Sequence, residues 1–275
     1  AATAFMHSLF ASSKSNVLKT WTMFLGILIF ALSLFGAFIV RSGIIDSVHS
    51  FANDPERGLY LLGFSGLITL LALTIFAYRL PVLNSSKLVV TGSKESFLSM
   101  NNILMITSIF SIFLGVTYPL IIESINGEKV SIGPPYYNTI FAPLILIAAI
   151  FIMISVDALW QRSMPLRKLF ITIATPIILS LASIYLIWWT TSVFSILAYI
   201  GVFSGLLILF SYLLRIINNL FNKKFINKGS AIAHIGFGLL FFAVSMNSIL
   251  SYEKNLNLSP GQSISVDNSI QEFSF

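Results

Sequence analysis

Long apolar segments, separated by short polar stretches, make up most of the chain. Seven of them are about 20 residues long, the length that an α-helix needs to cross ~30 Å of hydrocarbon. The pattern therefore predicts an all-α polytopic integral membrane protein. The predicted spans occupy residues 21–40, 59–78, 101–122, 137–156, 170–189, 193–214 and 230–250. Residues 1–10 are apolar but shorter than a span, and we interpret them as a partial one, so that residues 1–250 form one helical core.

The final stretch, residues 251–275, breaks this pattern because it is mostly polar. Apolar and polar residues alternate from Asn255 to Val266 around the turn-forming pair Pro260-Gly261. Alternation with period two on both sides of such a turn is typical of a β-hairpin. We therefore predict that this stretch begins a β domain outside the membrane.

A polar connection from Arg41 to Gly58 joins the first two full spans. Apolar residues recur at helical spacing between residues 44 and 52, which predicts a short amphipathic helix on the membrane surface. The run Asp54-Pro55-Glu56 then has the order of a helix start: an N-cap, a proline at the first helical position and an acid in the first turn. His49 is expected on the flank of the surface helix, within reach of a flat, partly apolar ligand.

Composition and charge agree with a membrane protein and predict its orientation. The 275 residues are 56% hydrophobic and 9% charged, and the absence of cysteine excludes disulfides, thiolate metal sites and cysteine nucleophiles. Counted by alternate loops, twelve of the sixteen lysines and arginines lie on one side of the membrane. The positive-inside rule makes that side cytoplasmic, so His49 and the C-terminal tail are expected outside. The same rule accounts for the net charge of +6, and nothing supports nucleic-acid binding.

Two of the three histidines are expected inside the membrane near its cytoplasmic face. His7 precedes the first cytoplasmic loop and lies roughly 5 Å in, at about 1.5 Å per residue. His234 lies roughly 9 Å in from the same face. Two histidines on different helices at similar depth can form an axial pair for a heme iron. Gly236 and Gly238 would let a macrocycle, or a neighbouring helix, come close. The alternative is that each histidine hydrogen-bonds a neighbouring helix.

Several stretches of the chain resemble one family over essentially the whole length. They are LFGAFIVRSGIIDSVHSFANDPERG, TAFMHS, NNILMITSIFSIFLGVTYPLI, VSIGPPYYN and AHIGFG. The family is CcmF, the heme lyase subunit of the system I cytochrome c maturation pathway, and the chain resembles its C-terminal portion. The resemblance also identifies the tail YEKNLNLSPGQSISV as similar to the start of the family's extracytoplasmic β domain.

The resemblance implies an activity, cofactors and partners. Family members receive heme from the chaperone CcmE, reduce it, and ligate it to the C-x-x-C-H motif of apocytochrome c, with CcmH as the thiol-reducing partner. By position, His7 and His234 match the axial ligands of a permanent heme b, which passes electrons from quinol. His49 matches one of two outer histidines that hold the substrate heme, and is the candidate catalytic residue. The expected location is a bacterial inner membrane with a periplasmic tail, or a mitochondrial inner membrane.

Two arginines at span ends, Arg41 and Arg57, are our own additional candidates. A guanidinium suits the bidentate geometry of a heme propionate, whereas anchoring to lipid headgroups is an equally good account of both residues.

Two features of the family are not matched in this sequence. The tryptophan-rich WWD segment and the first outer histidine would precede residue 1, and the distal β domain and last span would follow residue 275. Full lyase activity is therefore not expected of this chain alone. Three other functions stay open: a heme transporter or exporter, a quinol-linked b-type electron carrier, and an assembly protein for nitrite reductase.

Overall fold

The computed structural model describes residues 1–42, 54–83, 88–193, 195–223, 228–251, 263–266 and 269–272. Within these ranges the chain forms eight α-helices and two short β-strands. The helices are α1 Ala2–Ser15, α2 Lys19–Ser42, α3 Pro55–Leu83, α4 Lys94–Asn126, α5 Pro134–Ser155, α6 Leu166–Thr191, α7 Ile196–Phe221 and α8 Lys228–Leu250. Seven of them, α2 to α8, are long and apolar enough to cross a membrane, which confirms the predicted helical membrane fold.

The predicted spans each overlap one helix, but the helix ends differ where capping decides them. Helix α4 is longer than the predicted 101–122 because the Ser93 hydroxyl caps its first turn, accepting from the Ser96 N–H at 3.3 Å. Gly127, with φ +74°, ends the same helix. The predicted span 193–214 begins too early: Ser192 is left-handed (φ 53°) and closes α6, and α7 begins only at Ile196.

The residues of the predicted partial span lie in helix α1, which extends to Ser15 rather than to residue 10. It ends there because Asn16 is left-handed (φ 60°) and its N–H donates to the Ser12 carbonyl at 3.0 Å. Leu18 is also left-handed (φ 60°), so residues 16–18 reverse the chain into α2. This tight connection holds α1 against α2.

Helix packing divides the structure into two regions. Helix α7 packs against α5, α6 and α8, and we call these four helices the bundle. In the other region α3 packs on α2, α2 on α1, and α1 on α4; we call this the arc. The fully buried Leu207 and Ile208 of α7 pack with Met153 of α5 in the bundle core. The arc meets the bundle where α4 packs on α5.

The two strands are β1 Ser263–Val266 and β2 Ser269–Glu272, and they pair antiparallel. The predicted turn at Pro260-Gly261 lies outside the described residues. Membership of an extracytoplasmic β domain stays a prediction.

Candidate functional site

The structure brings together the two histidines that the sequence analysis paired. His7 on α1 and His234 on α8 have ring centroids 6.1 Å apart, with an angle of 65° between the ring planes. One histidine comes from the arc and the other from the bundle. The pair therefore stands where the two regions face each other.

Both imidazole rings are oriented in the same way. The Nδ1 of His7 lies 2.8 Å from the Thr3 carbonyl oxygen, and the Nδ1 of His234 lies 2.8 Å from the Ser230 carbonyl oxygen. A carbonyl oxygen only accepts, so each Nδ1 carries the hydrogen and each Nε2 keeps a lone pair. The partners lie four residues earlier on the same helix, not on a neighbouring helix as in the alternative reading. Both Nε2 atoms are thus prepared to ligate a metal.

A tyrosine on the bundle side fixes the plane of one ring. Tyr212 of α7 stacks on His234 with centroids 4.8 Å apart and planes 9° from parallel. The tyrosine is nearly buried, and a hydrogen bond joins its side chain to that of Ser230. Sequence reasoning missed Tyr212 because its contact depends on how α7 packs against α8. Its aromatic ring in an apolar helix carried no signal of its own.

The histidine pair fits a heme iron. Two imidazoles on one metal place their ring centroids roughly 6 Å apart, from bonds of about 2 Å and about 1 Å between each nitrogen and its ring centre. The observed separation of His7 and His234 is 6.1 Å. In the described part of the chain, no group of three or more His, Cys, Asp or Glu side chains could hold a metal ion. Two axial histidines suffice only when a macrocycle supplies the other ligands, as in heme.

A buried carboxylate fixes the end of α1. Glu95, at the start of α4, is 1% exposed and accepts a hydrogen bond of 2.5 Å from the Ser15 hydroxyl. Its two carboxylate oxygens also lie 3.1 and 3.0 Å from the backbone nitrogen of Gln161, which donates to them. We call these hydrogen bonds between Glu95, Ser15 and Gln161 the tie. The tie joins the end of α1, the start of α4 and the α5–α6 connection, so these three segments lie on one side, as the alternate-loop count of lysine and arginine requires. Which side faces the cytoplasm stays a prediction.

A buried asparagine lies further along α4. Asn102 is 1% exposed, and neither its amide nitrogen nor its oxygen has a hydrogen-bond partner among the residues that the structure describes. From the tie between Ser15 and Glu95, His7 lies roughly 12 Å along α1 and Asn102 roughly 11 Å along α4. The unpaired amide is therefore at about the depth of His7. Burying an unpaired amide is unfavourable, which makes Asn102 a candidate contact for a bound ligand.

The candidate residues of the outer site lie at the ends of α2 and α3. Asp54 donates its N–H to the Arg41 carbonyl at 3.3 Å, which brings the two helix ends together. The predicted helix start is confirmed: α3 begins at Pro55, and Asp54 Oδ1 accepts from the Arg57 N–H at 3.1 Å. The Arg57 side chain is exposed and forms an ion pair with Asp54 at 3.2 Å.

The structure does not bring Arg41 to the histidine pair. Arg41 lies roughly 33 Å along α2 from Lys19, the residue next to the end of α1. His49 and the amphipathic helix predicted at 44–52 lie outside the described residues. The propionate contacts of Arg41 and Arg57 stay predictions.

Comparison with known proteins gives a consistent set of relatives. No family model matches the chain. It is 34% identical over 273 residues to the cytochrome c-type biogenesis protein CcmF of Pseudomonas aeruginosa, covering 95% of this chain and 41% of that protein. For CcmF of Escherichia coli the identity is 30% over 268 residues, with 96% and 41% covered. For the cytochrome c-type biogenesis protein NrfE of Haemophilus influenzae it is 32% over 266 residues, with 94% and 41% covered.

The chain spans about two fifths of the length of these curated relatives. It is also similar to a solved structure of the cytochrome c heme lyase CcmF, with a TM-score of 0.66 and 21% sequence identity. That match covers 90% of this chain and 37% of the other. It shows that the two share a fold.

Proposed function

Because the chain is homologous to the CcmF family of cytochrome c-type biogenesis proteins over most of its length, we propose that it is the membrane core of a cytochrome c heme lyase. The observation that carries the proposal is the pair formed by His7 and His234, whose ring centroids lie 6.1 Å apart. A bare heme channel needs no pair of imidazoles fixed at this separation. The activity belongs to the complete lyase assembly, of which this chain is a part.

In this proposal the histidine pair holds a heme b. The Nδ1 hydrogen bonds to Thr3 and Ser230 keep both Nε2 lone pairs available, and Tyr212 holds the ring plane of His234. A heme b bound here supplies reversible one-electron transfer between quinol and the substrate heme. The protein's own contribution is to keep the two imidazoles at fixed separation in an apolar surrounding.

The outer residues position the substrate in the same proposal. His49 holds the heme that CcmE delivers, while CcmH keeps the two thiols of the apocytochrome c motif reduced. Each thiol adds across a heme vinyl group, so that the sulfur bonds to carbon, the proton is taken up by the vinyl and no atom is lost. Arg57 contacts a propionate by exchanging its ion pair with Asp54, and Arg41 lies at the neighbouring helix end. Positioning of this kind is a large part of what a lyase must supply.

The proposed location is an inner membrane, with the histidine pair towards the cytoplasm. The distribution of lysine and arginine supports this orientation, in which the tail after α8 lies in the periplasm. Single cysteines at positions 14 and 129 test it, because the chain has no cysteine of its own. Labelling of position 14 by an impermeant reagent added from outside would reverse the assignment.

Spectroscopy of the purified complex tests the heme b. We expect His7→Ala and His234→Ala each to lose the same low-spin heme, because each removes one axial nitrogen. His49→Ala is the matched control, since it removes the third histidine of the chain and should leave this heme in place. Added imidazole should restore the spectrum of either single variant. A full heme b complement in the His7→Ala/His234→Ala double variant would contradict the proposal.

Cross-linking separates the lyase from an electron carrier. A lyase complex with intact heme b should cross-link to an apocytochrome c peptide that contains C-x-x-C-H, and His49→Ala should abolish maturation. A complex that exchanges electrons with quinol but never captures the peptide would favour the b-type electron carrier.

A further inference from the structure

A basic cleft opens between α6, α7 and the connection that leads into α6. Its volume is about 600 Å³. The polar side chains that line it are Asp157, Arg167, Lys168, Thr172, Arg215, Asn218 and Asn219. Three cations against one acid give the cleft an excess of positive charge. None of these residues takes part in the site described above.

The start of α6 contributes further positive potential. Helix α6 begins at Leu166 after Pro165, and no side chain caps its first N–H groups. The first turn has no acid and instead carries Arg167 and Lys168. Cations are disfavoured at this end of a helix, because the helix dipole is positive there. Free N–H groups and two cations converging on one cleft create the conditions for binding an anion.

The acid in the cleft is already engaged. Asp157 pairs with Arg215 at 3.6 Å and accepts from the Thr172 hydroxyl at 3.2 Å, and its carbonyl accepts from Lys168 at 3.3 Å. By contrast, Arg167 has no ion pair or side-chain hydrogen bond to any residue in the described ranges. Asn219 is 9% exposed, and its side chain likewise has no hydrogen bond within that part of the chain. A cation and an amide donor are therefore available to a ligand.

Apolar surface beside the cations indicates the kind of anion. Ile171 lines the cleft and is 58% exposed, and the neighbouring Leu166 and Phe170 are more exposed still. The cleft lies at the start of α6 and the end of α7, two helices long and apolar enough to cross a membrane. The ends of such helices are expected at the level of the lipid headgroups. Basic pockets between membrane helices on the cytoplasmic side are suited to anionic headgroups. We propose that this cleft binds the phosphate group of an anionic phospholipid, with the acyl chains lying along α6.

Lipid retention by the purified complex tests the proposal. The complex that contains this chain is extracted from vesicles of equal phosphatidylglycerol and phosphatidylcholine, and its bound lipid is measured by native mass spectrometry. We expect the wild type to retain mainly phosphatidylglycerol. Arg167→Gln/Lys168→Gln should lower that preference by about thirtyfold, the effect of removing two cations at a membrane surface.

Two control variants make the result specific. Lys14→Gln/Arg79→Gln removes the same charge from exposed positions outside the cleft, on the side predicted to be cytoplasmic, and should keep the preference. Arg167→Lys/Lys168→Arg conserves the charge and should also keep it. The proposal would be overturned if both glutamine variants lost the preference for phosphatidylglycerol equally, or if the wild type showed no such preference.

A competition experiment distinguishes a lipid from a soluble phosphate. Millimolar inorganic phosphate should displace little phosphatidylglycerol, because it lacks acyl chains to contact Ile171. Two results together would overturn the lipid assignment and show a site for a soluble phosphate. Inorganic phosphate would displace all of the bound phosphatidylglycerol, and it would occupy the cleft equally well when the vesicles contain phosphatidylcholine alone.

Discussion

The most apolar 18-residue windows of helices α7 and α3 have nearly the same mean hydropathy, 2.2 and 2.1, yet the two helices occupy opposite kinds of position. In the apolar window of α7, 61% of the residues are buried by protein; in that of α3 the share is 6%. Both helices contain glycine, but Gly201 and Gly205 of α7 face α8 while Gly66 of α3 faces open space. Hydropathy therefore predicts that a helix crosses the membrane, and small residues on one face decide which helix others pack around.

The two regions also position their histidines differently. In the bundle, apolar packing and the stacked Tyr212 orient His234. In the arc, the polar tie from Glu95 to Ser15 and Gln161 fixes the end of the short helix that carries His7. Packing acts along a whole helix, whereas a tie acts at one point. The position of the histidine-bearing helix should therefore depend on fewer residues in the arc than in the bundle.

The largest expected effect comes from crowding the centre of the bundle. A Cβ at Gly205 would lie 2.7 Å from the Phe242 nitrogen and 2.8 Å from the Gly238 carbonyl oxygen, so backbone would have to move. Gly205→Val should lower the free energy of unfolding by about 3 kcal/mol, measured in mixed micelles. Gly66→Val is the matched change on α3, where a Cβ meets nothing within 4 Å, and should cost about 0.5 kcal/mol or less. Equal losses would refute the contrast between the two helices.

An intermediate effect is expected at the tie that holds the arc. Glu95→Gln keeps the shape of the side chain but replaces one acceptor oxygen by an NH2 group. Because both carboxylate oxygens accept from the Gln161 N–H, that NH2 group then faces another donor in a buried position. The free energy of unfolding should fall by about 2 kcal/mol in the same assay. Glu123→Gln is the control, because the Glu123 carboxylate is partly exposed and its ion pair with Lys129 is long, at 3.9 Å. This variant should change the free energy of unfolding by about 0.5 kcal/mol or less. The prediction is wrong if the two glutamine variants unfold alike.

The smallest effect is expected where α2 and α3 meet. Arg57→Gln removes an ion pair whose arginine side chain is 73% exposed, so the free energy of unfolding should change by about 0.5 kcal/mol or less. Asp54→Asn removes the same pair but keeps an N-cap, and should have a similarly small effect. A loss of several kcal/mol in either variant would mean that this end of the arc is as tightly held as the bundle.

The predictable features were those that depend on position along the chain. Apolar runs gave the spans, and the order Asp54-Pro55 gave the start of α3. Constant helix rise placed His7 and His234 at similar depth, and their rings do meet. Tyr212 and Glu95 were not predicted, because their roles depend on sideways contacts between helices distant in sequence. The end of α1 was predicted too early because the left-handed Asn16 gives no strong sequence signal.

Helices α1 and α8 are the first and last of the eight in the described ranges, so the ring pair joins two helices that six others separate along the chain. During synthesis His7 emerges long before its partner, and it stays alone until α8 has inserted and docked on α7 through Gly205 and Gly238. A chain that stops early, or that inserts one span the wrong way round, never completes the pair. The meeting of the two imidazoles therefore depends on the correct insertion of every helix from α1 to α8.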